Sequence, residues 1–211
     1  MYKAILFDAE GVVVDTEKLW DLEQLIFLEG KGVKYDRDKI KHLMTGKSLT
    51  EATKRMKEIY HLEGELGKMV HQRVTFLKDL FEKKVSFVNN FERFYEKVKN
   101  KYKTCISTSM DNQLFELISK KLSLKKLFGN NLFTIKNVGM KSKPDPAIFL
   151  YSARMLELEP SECMVIEDSP HGIKAAKSAG MYCIGITTTY KKDKLFEADQ
   201  IVDNFEEIKI P

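Results

Sequence analysis

The amino-acid sequence predicts an α/β protein whose parallel sheet is interrupted by an inserted helical domain. Two observations support this fold class: short apolar strands alternate with helical segments in the C-terminal part, and the stretch after the first strand shows only helical spacing of apolar residues. Such alternation is typical of a parallel sheet with helices on both faces. We therefore expect an α/β core from residues 1–15 and 85–211, and a helical cap from residues 16–84.

The first predicted strand, residues 2–7, leads directly into an acidic turn. Its sequence Tyr-Lys-Ala-Ile-Leu-Phe is apolar enough for a buried strand. Asp8 follows at once, and Gly11 can adopt the backbone conformation of a tight chain reversal. In the next segment apolar residues recur at helical spacing between glycines, so three or four helices are expected there.

Five further strands are predicted in the C-terminal part, with helices between the first four of them. The predicted helices cover about 90–100, 111–121, 145–157 and 170–179. The predicted strands cover Lys103–Ser107, Leu132–Ile135, Cys163–Ile166, Tyr182–Ile186 and a short final Gln200–Asp203.

Composition excludes several classes of protein. Of 211 residues, 43% are hydrophobic and 31% charged, which is ordinary for a globular protein, and no apolar run approaches the roughly 20 residues that cross a bilayer. The net charge of +4 comes from lysines dispersed among glutamates, unlike a concentrated nucleic-acid-binding surface. The three cysteines have no CxxC spacing and are expected to be buried free thiols. We expect a cytoplasmic protein, with a monomer as the default.

Polar side chains follow each of the central strands. In a parallel sheet, ligands bind just beyond the carboxyl ends of the strands, so these side chains should meet at one edge. In order along the chain they are Asp8 and Glu10, Thr108 and Ser109, Lys143, and Glu167 with Asp168.

This set of side chains suits phosphoryl transfer assisted by a divalent cation. Mg²⁺ prefers oxygen ligands, and Asp8 and Asp168 are the candidate carboxylates. Lys143 would add positive charge for the phosphoryl oxygens, and Thr108 and Ser109 would offer hydrogen bonds to them. Asp8 could then attack phosphorus, and the acid at position 10 could serve as general acid and base.

Structural alternatives exist for several of these residues. Thr108, Ser109 and Asp168 could merely cap the helices that follow them. Lys141 lies close to Lys143 in sequence and could be the functional lysine instead. His171 is expected to be an exposed residue in the first turn of a helix.

Four ordered motifs resemble those of the haloacid dehalogenase-like superfamily, and within it the β-phosphoglucomutase-like phosphatases. The resemblance runs from end to end of the chain, with a helical insertion after the first motif. The motifs are Asp8-Ala9-Glu10-Gly11-Val12, Ile106-Ser107-Thr108-Ser109, Lys143-Pro144-Asp145-Pro146 with Phe149, and Ile166-Glu167-Asp168-Ser169 with Gly172.

The resemblance implies a Rossmann-like core and a cap that opens and closes over the site. It implies that Asp8 is the nucleophile. It also implies that Mg²⁺ is held by Asp8, Asp168 and the backbone carbonyl of Glu10, with Glu167 as a nearby or water-mediated ligand.

For the substrate, the resemblance implies that Thr108, Ser109 and Lys143 bind the phosphoryl group. Asn112, at the start of the next helix, and Lys47, in a cap loop, are further candidates for substrate binding. The implied activity is hydrolysis of a small phosphorylated metabolite such as a sugar phosphate.

Glu10 departs from the family pattern, which has Asp at this position. The acidity is nearly the same, but the extra methylene moves the carboxyl by roughly an ångström, and a misplacement of that size can cost about a hundredfold in rate. We expect metal and phosphate binding to survive and turnover to be slow. A catalytically weakened relative that only binds a phosphorylated ligand is therefore one alternative.

A phosphohexomutase of the β-phosphoglucomutase type is the other alternative. Mutases of that type carry a His and an Arg in the cap, where this chain has Trp20 and Leu49. The cap loop has a single cationic side chain, Lys47, and one lysine offers little positive charge for binding a second phosphate. Hydrolysis is therefore ranked above mutase chemistry. A metal-independent dehalogenase is disfavoured because of the acids at positions 10 and 168.

Overall fold

The computed structural model describes residues 1–37, 39–40 and 49–211. Contacts divide them into two compact units: an α/β unit of Met1–Asp15 with Ser86–Pro211, and a helical unit of Thr16–Val85. Within the described residues, no helix combines the length and the apolar character needed to cross a membrane.

The α/β unit is built on a parallel six-stranded sheet. Its strands, with a separate two-stranded antiparallel pair β2–β3, are β1 (Ala4–Phe7), β2 (Val14–Asp15), β3 (Ser86–Phe87), β4 (Lys103–Thr108), β5 (Leu132–Thr134), β6 (Cys163–Glu167), β7 (Tyr182–Ile186) and β8 (Gln200–Val202). The sheet order is β5-β4-β1-β6-β7-β8, and every neighbouring pair is parallel. The predicted fold class is confirmed.

Helices make up most of the rest of the described chain. The α-helices are α1 (Glu17–Glu29), α2 (Leu49–Ile59), α3 (Leu66–Lys84), α4 (Phe91–Val98), α5 (Asn112–Lys121), α6 (Leu124–Phe128), α7 (Ala147–Met155) and α8 (Pro170–Ser178). Short 3-10 helices cover Ile135–Val138, Pro160–Glu162, Lys192–Lys194 and Phe205–Glu207. The short pair β2–β3 and helix α6 were not predicted from the sequence.

Strand β1 is covered on both faces, which explains why all four of its residues are apolar and buried. Leu6 packs in a cluster with Phe149 of α7 and Ile173 of α8. Phe7 points to the opposite face, as successive strand residues do, and contacts the rings of Phe91 and Phe128. The first residue beyond β1, Asp8, is therefore carried by a rigid central strand.

The helical unit has an apolar core of its own. Phe27 and Leu28 of α1 pack with Met56 of α2 and Met69 of α3. A buried ion pair between Arg73 of α3 and Glu23 of α1 also lies within this unit.

The three cysteines are free and buried, as predicted. Burial raises the pKa of Cys105 to about 12 and that of Cys163 to about 11. Burial likewise raises the pKa of Cys183 well above its ordinary value. These thiols therefore stay protonated at neutral pH and are poor nucleophiles.

Candidate active site

The predicted polar residues lie at the carboxyl edge of the sheet. Phe7 of β1 is in register with Ile106 of β4 on one side and with Ile166 of β6 on the other. Asp8 therefore follows β1 at the level where β4 ends in Thr108 and β6 ends in Glu167.

Three buried carboxylates come together here. Asp8, Glu167 and Asp168 each offer one oxygen, and these oxygens lie within 4.8 Å of one another. The side chains are almost inaccessible, since the three residues are between 1% and 7% exposed. Within the described chain, the Glu10 carboxylate is not part of this metal-binding group.

The electrostatics of the cluster fit a divalent cation. Burial, and then the charge of Glu167, raise the pKa of Asp8 to about 7, although Lys143 opposes the shift. Burial, followed by Glu167 and Asp8, raises the pKa of Asp168 well above its usual range. A cation held among these oxygens would offset the repulsion, and an all-oxygen donor set is what Mg²⁺ prefers.

Lys143 bridges two of the acids from the loop after β5. Its Nζ donates hydrogen bonds to Asp8 Oδ1 and, at 2.6 Å, to Glu167 Oε1. Burial opposes its charged form, but the carboxylates of Asp8 and Glu167 prevail and raise the pKa of Lys143 above its ordinary value. Lys143 is 8% exposed, whereas Lys141 lies at the surface. The ammonium group that faces the cluster is therefore that of Lys143.

Glu167 is held rigidly by its neighbours. Its Oε2 accepts hydrogen bonds from the backbone N–H of Asp168 at 3.0 Å and of Ser169 at 3.1 Å, and from Ser169 Oγ at 2.9 Å. Ser169 Oγ also accepts from the N–H of Gly172 at 3.1 Å, which makes it the N-cap of α8. Asp168 does not cap this helix and is free to face the cluster.

Gly172 leaves room for the Glu167 carboxylate. A Cβ atom at residue 172 would lie 1.8 Å from Glu167 Oε1 and 1.9 Å from its Cδ. Moving the carboxylate away would break its hydrogen bonds to Lys143 and to the backbone N–H of Ser169. The glycine in the fourth motif is therefore a steric requirement.

We expect Gly172→Ala to lower the free energy of unfolding by about 1–3 kcal/mol, as overpacking of a tight interior site does. Chemical denaturation followed by circular dichroism would measure this loss. Gly67→Ala is the matched control, because a Cβ there meets nothing within 4 Å, and it should be neutral or slightly stabilising. Equal stability of the two variants would contradict the steric argument.

The expected phosphoryl-binding residues lie at the end of β4. Thr108 is 1% exposed, and its Oγ1 accepts a hydrogen bond from the N–H of Met110 at 3.0 Å. Ser109 Oγ accepts from the backbone N–H of Lys143 at 3.2 Å, which ties the second and third motifs together.

Helix α5 is capped by another residue. Asp111 accepts from the N–H groups of Gln113 at 2.9 Å and Leu114 at 3.3 Å. Neither Thr108 nor Ser109 is needed for that task. Asn112 Oδ1 is buried and has no hydrogen-bond partner among the described residues. An unsatisfied buried polar atom is compatible with a ligand contact.

The remaining candidates are Glu10, His171 and Lys47. Glu10 is partly exposed in the turn after β1, and its charge contributes to the raised pKa of Asp8. His171 is exposed, as expected. Lys47 lies outside the described residues.

Two threonines at the site were not predicted. Thr188 Oγ1 donates a hydrogen bond to the carbonyl oxygen of Gly11 at 2.5 Å, and the Thr189 hydroxyl lies beside the Asp168 carboxylate. Both lie just beyond β7, so the strand-end rule that indicated the other residues could also have indicated these.

Comparisons with known proteins agree with this architecture. The family model of haloacid dehalogenase-like hydrolases matches residues 5–186. Validoxylamine A 7'-phosphate phosphatase of Streptomyces hygroscopicus subsp. limoneus is 30% identical over 100% of this chain and 98% of its own length. The phosphorylated carbohydrates phosphatase of Thermotoga maritima is 30% identical over 85% of this chain and 82% of its own length.

Solved structures lead to the same family. The β-phosphoglucomutase of Clostridium difficile superposes with a TM-score of 0.79 at 25% identity, covering 99% of this chain and 94% of its own. The resemblance seen in the four motifs and the expected class of enzyme, a phosphatase, are both confirmed by these relatives. The match of the family model to most of the chain, together with a full-length relative, shows that this protein belongs to the haloacid dehalogenase-like hydrolase family.

Proposed function

We propose that the protein is a Mg²⁺-dependent phosphatase that hydrolyses a small, phosphorylated, sugar-like molecule through an aspartyl-phosphate on Asp8. The observation that carries the proposal is the buried Asp8 carboxylate, which accepts a hydrogen bond from Lys143 and has an oxygen within 4.8 Å of one oxygen each of Glu167 and Asp168. Phosphatase relatives whose names specify phosphorylated carbohydrates and validoxylamine A 7'-phosphate support a small phosphorylated substrate.

The residues that would hold Mg²⁺ are Asp8, Asp168 and Glu167, with the backbone carbonyl of Glu10. When bound, the cation would neutralise negative charge on the carboxylates and on the phosphoryl oxygens. Lys143 would add a second positive charge beside the reacting carboxylate, and Thr108 and Ser109 would donate hydrogen bonds to the phosphoryl group.

The chemistry then proceeds in two displacements. An Asp8 carboxylate oxygen attacks phosphorus, the bond from phosphorus to the ester oxygen breaks, and the protonated Glu10 carboxyl gives its proton to the departing alcohol. In the second step Glu10 takes a proton from water, the water oxygen attacks phosphorus, and Asp8 is released with inorganic phosphate.

A panel of phosphorylated metabolites, assayed with and without Mg²⁺, tests this function most directly. Inorganic phosphate should be released from one or more sugar phosphates when Mg²⁺ is present, and chelation should abolish release. Asp8→Asn protein serves as the blank. Ligand-induced thermal stabilisation without any phosphate release would instead favour a phospho-ligand-binding relative.

Mutase activity is the second candidate, favoured by the similarity to β-phosphoglucomutase. A mutase of this kind returns the phosphoryl group to another position of the sugar, so a bisphosphate primer should start the reaction. Isomerised sugar phosphate that forms only with such a primer, with little free phosphate, would support the mutase over the phosphatase.

The proposal also predicts that Glu10→Asp will accelerate hydrolysis. Removing one methylene should bring the carboxyl closer to the position used by family phosphatases, and we expect kcat to rise by roughly 10- to 100-fold. Single-turnover release of phosphate from the phosphoenzyme would measure the step directly. Glu96→Asp, at an exposed ion pair with Lys99, is the control. An unchanged rate in Glu10→Asp would count against the expected cost of the longer side chain.

A further inference from the structure

The loop after β7 supplies two threonine hydroxyls to the acidic site. Thr188 Oγ1 donates a hydrogen bond to the carbonyl oxygen of Gly11 at 2.5 Å. The Thr189 hydroxyl lies beside the carboxylate of Asp168, where both side chains approach Gly11. We propose that Thr188 and Thr189 are positioning residues of the magnesium site, which hold the Gly11 turn and the Asp168 carboxylate in the arrangement that binds the cation. This inference rests on the proposed function.

Three chain segments converge at Gly11. A Cβ atom at this residue would lie 1.9 Å from Asp168 Oδ2 and 2.7 Å from Thr189 Oγ1, so both atoms closely approach the glycine backbone. Gly11 has φ of +70°, a conformation that other residues seldom adopt. The turn that follows Asp8 therefore touches both Asp168 and the threonine loop.

The two acids after β6 are held by different groups. Glu167 receives three hydrogen bonds from Asp168 and Ser169 and a further one from Lys143. The neighbour of Asp168 is the Thr189 hydroxyl, which belongs to a separate segment of the chain and opposes the rise in the pKa of Asp168. A carboxylate that binds a cation is ionised and can only accept, so in that state the Thr189 hydroxyl can donate one hydrogen bond to Asp168. The carboxylate keeps its other lone pairs for a cation.

Thr188 holds the backbone of the turn that follows β1, whereas Thr189 lies beside a side chain. By donating to the carbonyl of Gly11 it fixes the peptide plane that follows the turn. Asp8 and Glu10 lie on the same short turn, and the backbone carbonyl of Glu10 is a proposed ligand. Loss of either hydroxyl should therefore leave the ligands present but less well oriented. Such outer contacts typically contribute 10- to 100-fold to metal affinity.

The experiment compares Mg²⁺ binding by threonine variants, measured by isothermal titration calorimetry without substrate. Thr189→Val removes the hydroxyl and keeps a similar shape, and we expect it to weaken Mg²⁺ binding about tenfold or more. Thr189→Ser restores the donor and should bind within about threefold of wild type. Thr188→Val should also weaken Mg²⁺ binding. Because Thr188 is exposed, this variant should fold even if Thr189→Val does not.

Thr187→Val is the matched control. Its hydroxyl binds Asp203 Oδ1 at 2.8 Å instead of the site, so Mg²⁺ affinity should be unchanged. Melting temperatures without Mg²⁺ separate positioning from general stability. A purely structural role would lower the melting temperature and leave the dissociation constant unaltered.

The outcomes distinguish this inference from the proposed function. Wild type that binds Mg²⁺, together with Thr189→Val and Thr188→Val proteins that bind it equally well, would overturn the positioning role and leave the phosphatase proposal intact. Wild type that binds no Mg²⁺ at millimolar concentration would overturn the metal site itself, and the positioning role with it.

Discussion

Asp8→Asn is expected to lower phosphatase turnover by roughly 10⁴-fold or more, because an amide cannot form the phosphoenzyme. The protein should stay folded. Asn is nearly isosteric with Asp, and the substitution removes a buried carboxyl whose pKa is raised to about 7 by its own burial and by the charge of Glu167. Initial rates on a responsive substrate, with the melting temperature of the Mg²⁺-free protein, would check both expectations.

Asp79→Asn is a suitable control for this substitution. Asp79 lies on α3, where it makes an exposed ion pair with Lys83 at 2.6 Å, so activity should stay within about twofold of wild type. Residual turnover of Asp8→Asn comparable to that of the control would show that another group carries the reaction. A folded but inactive Asp8→Asn protein that still binds Mg²⁺ weakly would agree with Asp168 and Glu167 as remaining ligands.

The largest effect on stability is expected at Arg73 in the helical unit. Its guanidinium makes a bidentate pair with Glu23, with Nε to Oε1 at 2.8 Å and Nη2 to Oε2 at 2.7 Å, and Nη1 donates to Thr53 Oγ1 at 3.1 Å. Arg73 and Glu23 are 1% and 0% exposed. Arg73→Met would leave a buried carboxylate without a partner, which typically costs about 3–5 kcal/mol.

Trp20 makes this prediction easy to measure. It is the single tryptophan of the chain and packs edge-on against Phe81 in the same helical unit, with ring centroids 5.9 Å apart. Its fluorescence during urea unfolding therefore reports on the unit that contains Arg73. Glu23→Leu combined with Arg73→Met should recover much of the loss, because a buried ion pair can often be replaced by apolar residues. A double variant no more stable than Arg73→Met would contradict this account.

The loss in Arg73→Met should also depend on pH. Burial raises the pKa of Glu23 above 4.5 even though Arg73 opposes the shift, and without Arg73 the pKa should rise further. Between the pKa of Glu23 in the unfolded state and its higher pKa in the folded state, folded Glu23 keeps a proton that the unfolded chain releases. The free energy of unfolding therefore falls as the pH rises through this range. Urea midpoints measured from pH 5 to pH 8 should show the deficit of Arg73→Met growing relative to wild type. A deficit independent of pH would mean that lost packing, rather than unpaired charge, causes it.

Much of the fold could be predicted because long elements repeat their pattern several times. The segments at 182–186 and 170–179 contain enough apolar positions to distinguish strand from helix, and the structure has β7 at Tyr182–Ile186 and α8 at Pro170–Ser178. The two-residue strands of the β2–β3 pair and the five-residue helix α6 were missed. Such short elements contain at most about one repeat of a periodic pattern.

The residues of the candidate site could be predicted from the sequence, but their contacts could not. Strand ends pointed to Asp8, Thr108, Lys143 and Asp168, since parallel strands align their carboxyl ends. Whether Thr108 or Asp168 caps a helix, and whether Lys141 or Lys143 faces the acids, depends on loop conformation. The structure has Asp111 and Ser169 as the caps, so those tasks do not fall to Thr108 or Asp168.

The sequence by itself determined the class of fold, the order of the motifs and the kinds of chemical group that reach one edge of the sheet, because these follow from local periodicity and strand polarity. Only the tertiary structure decided which groups touch: Lys143 with Asp8 and Glu167, Thr189 with Asp168, and Arg73 with Glu23 across fifty positions of the chain. Contacts between distant segments depend on how helices and loops pack in three dimensions, and a one-dimensional pattern contains no information on those distances.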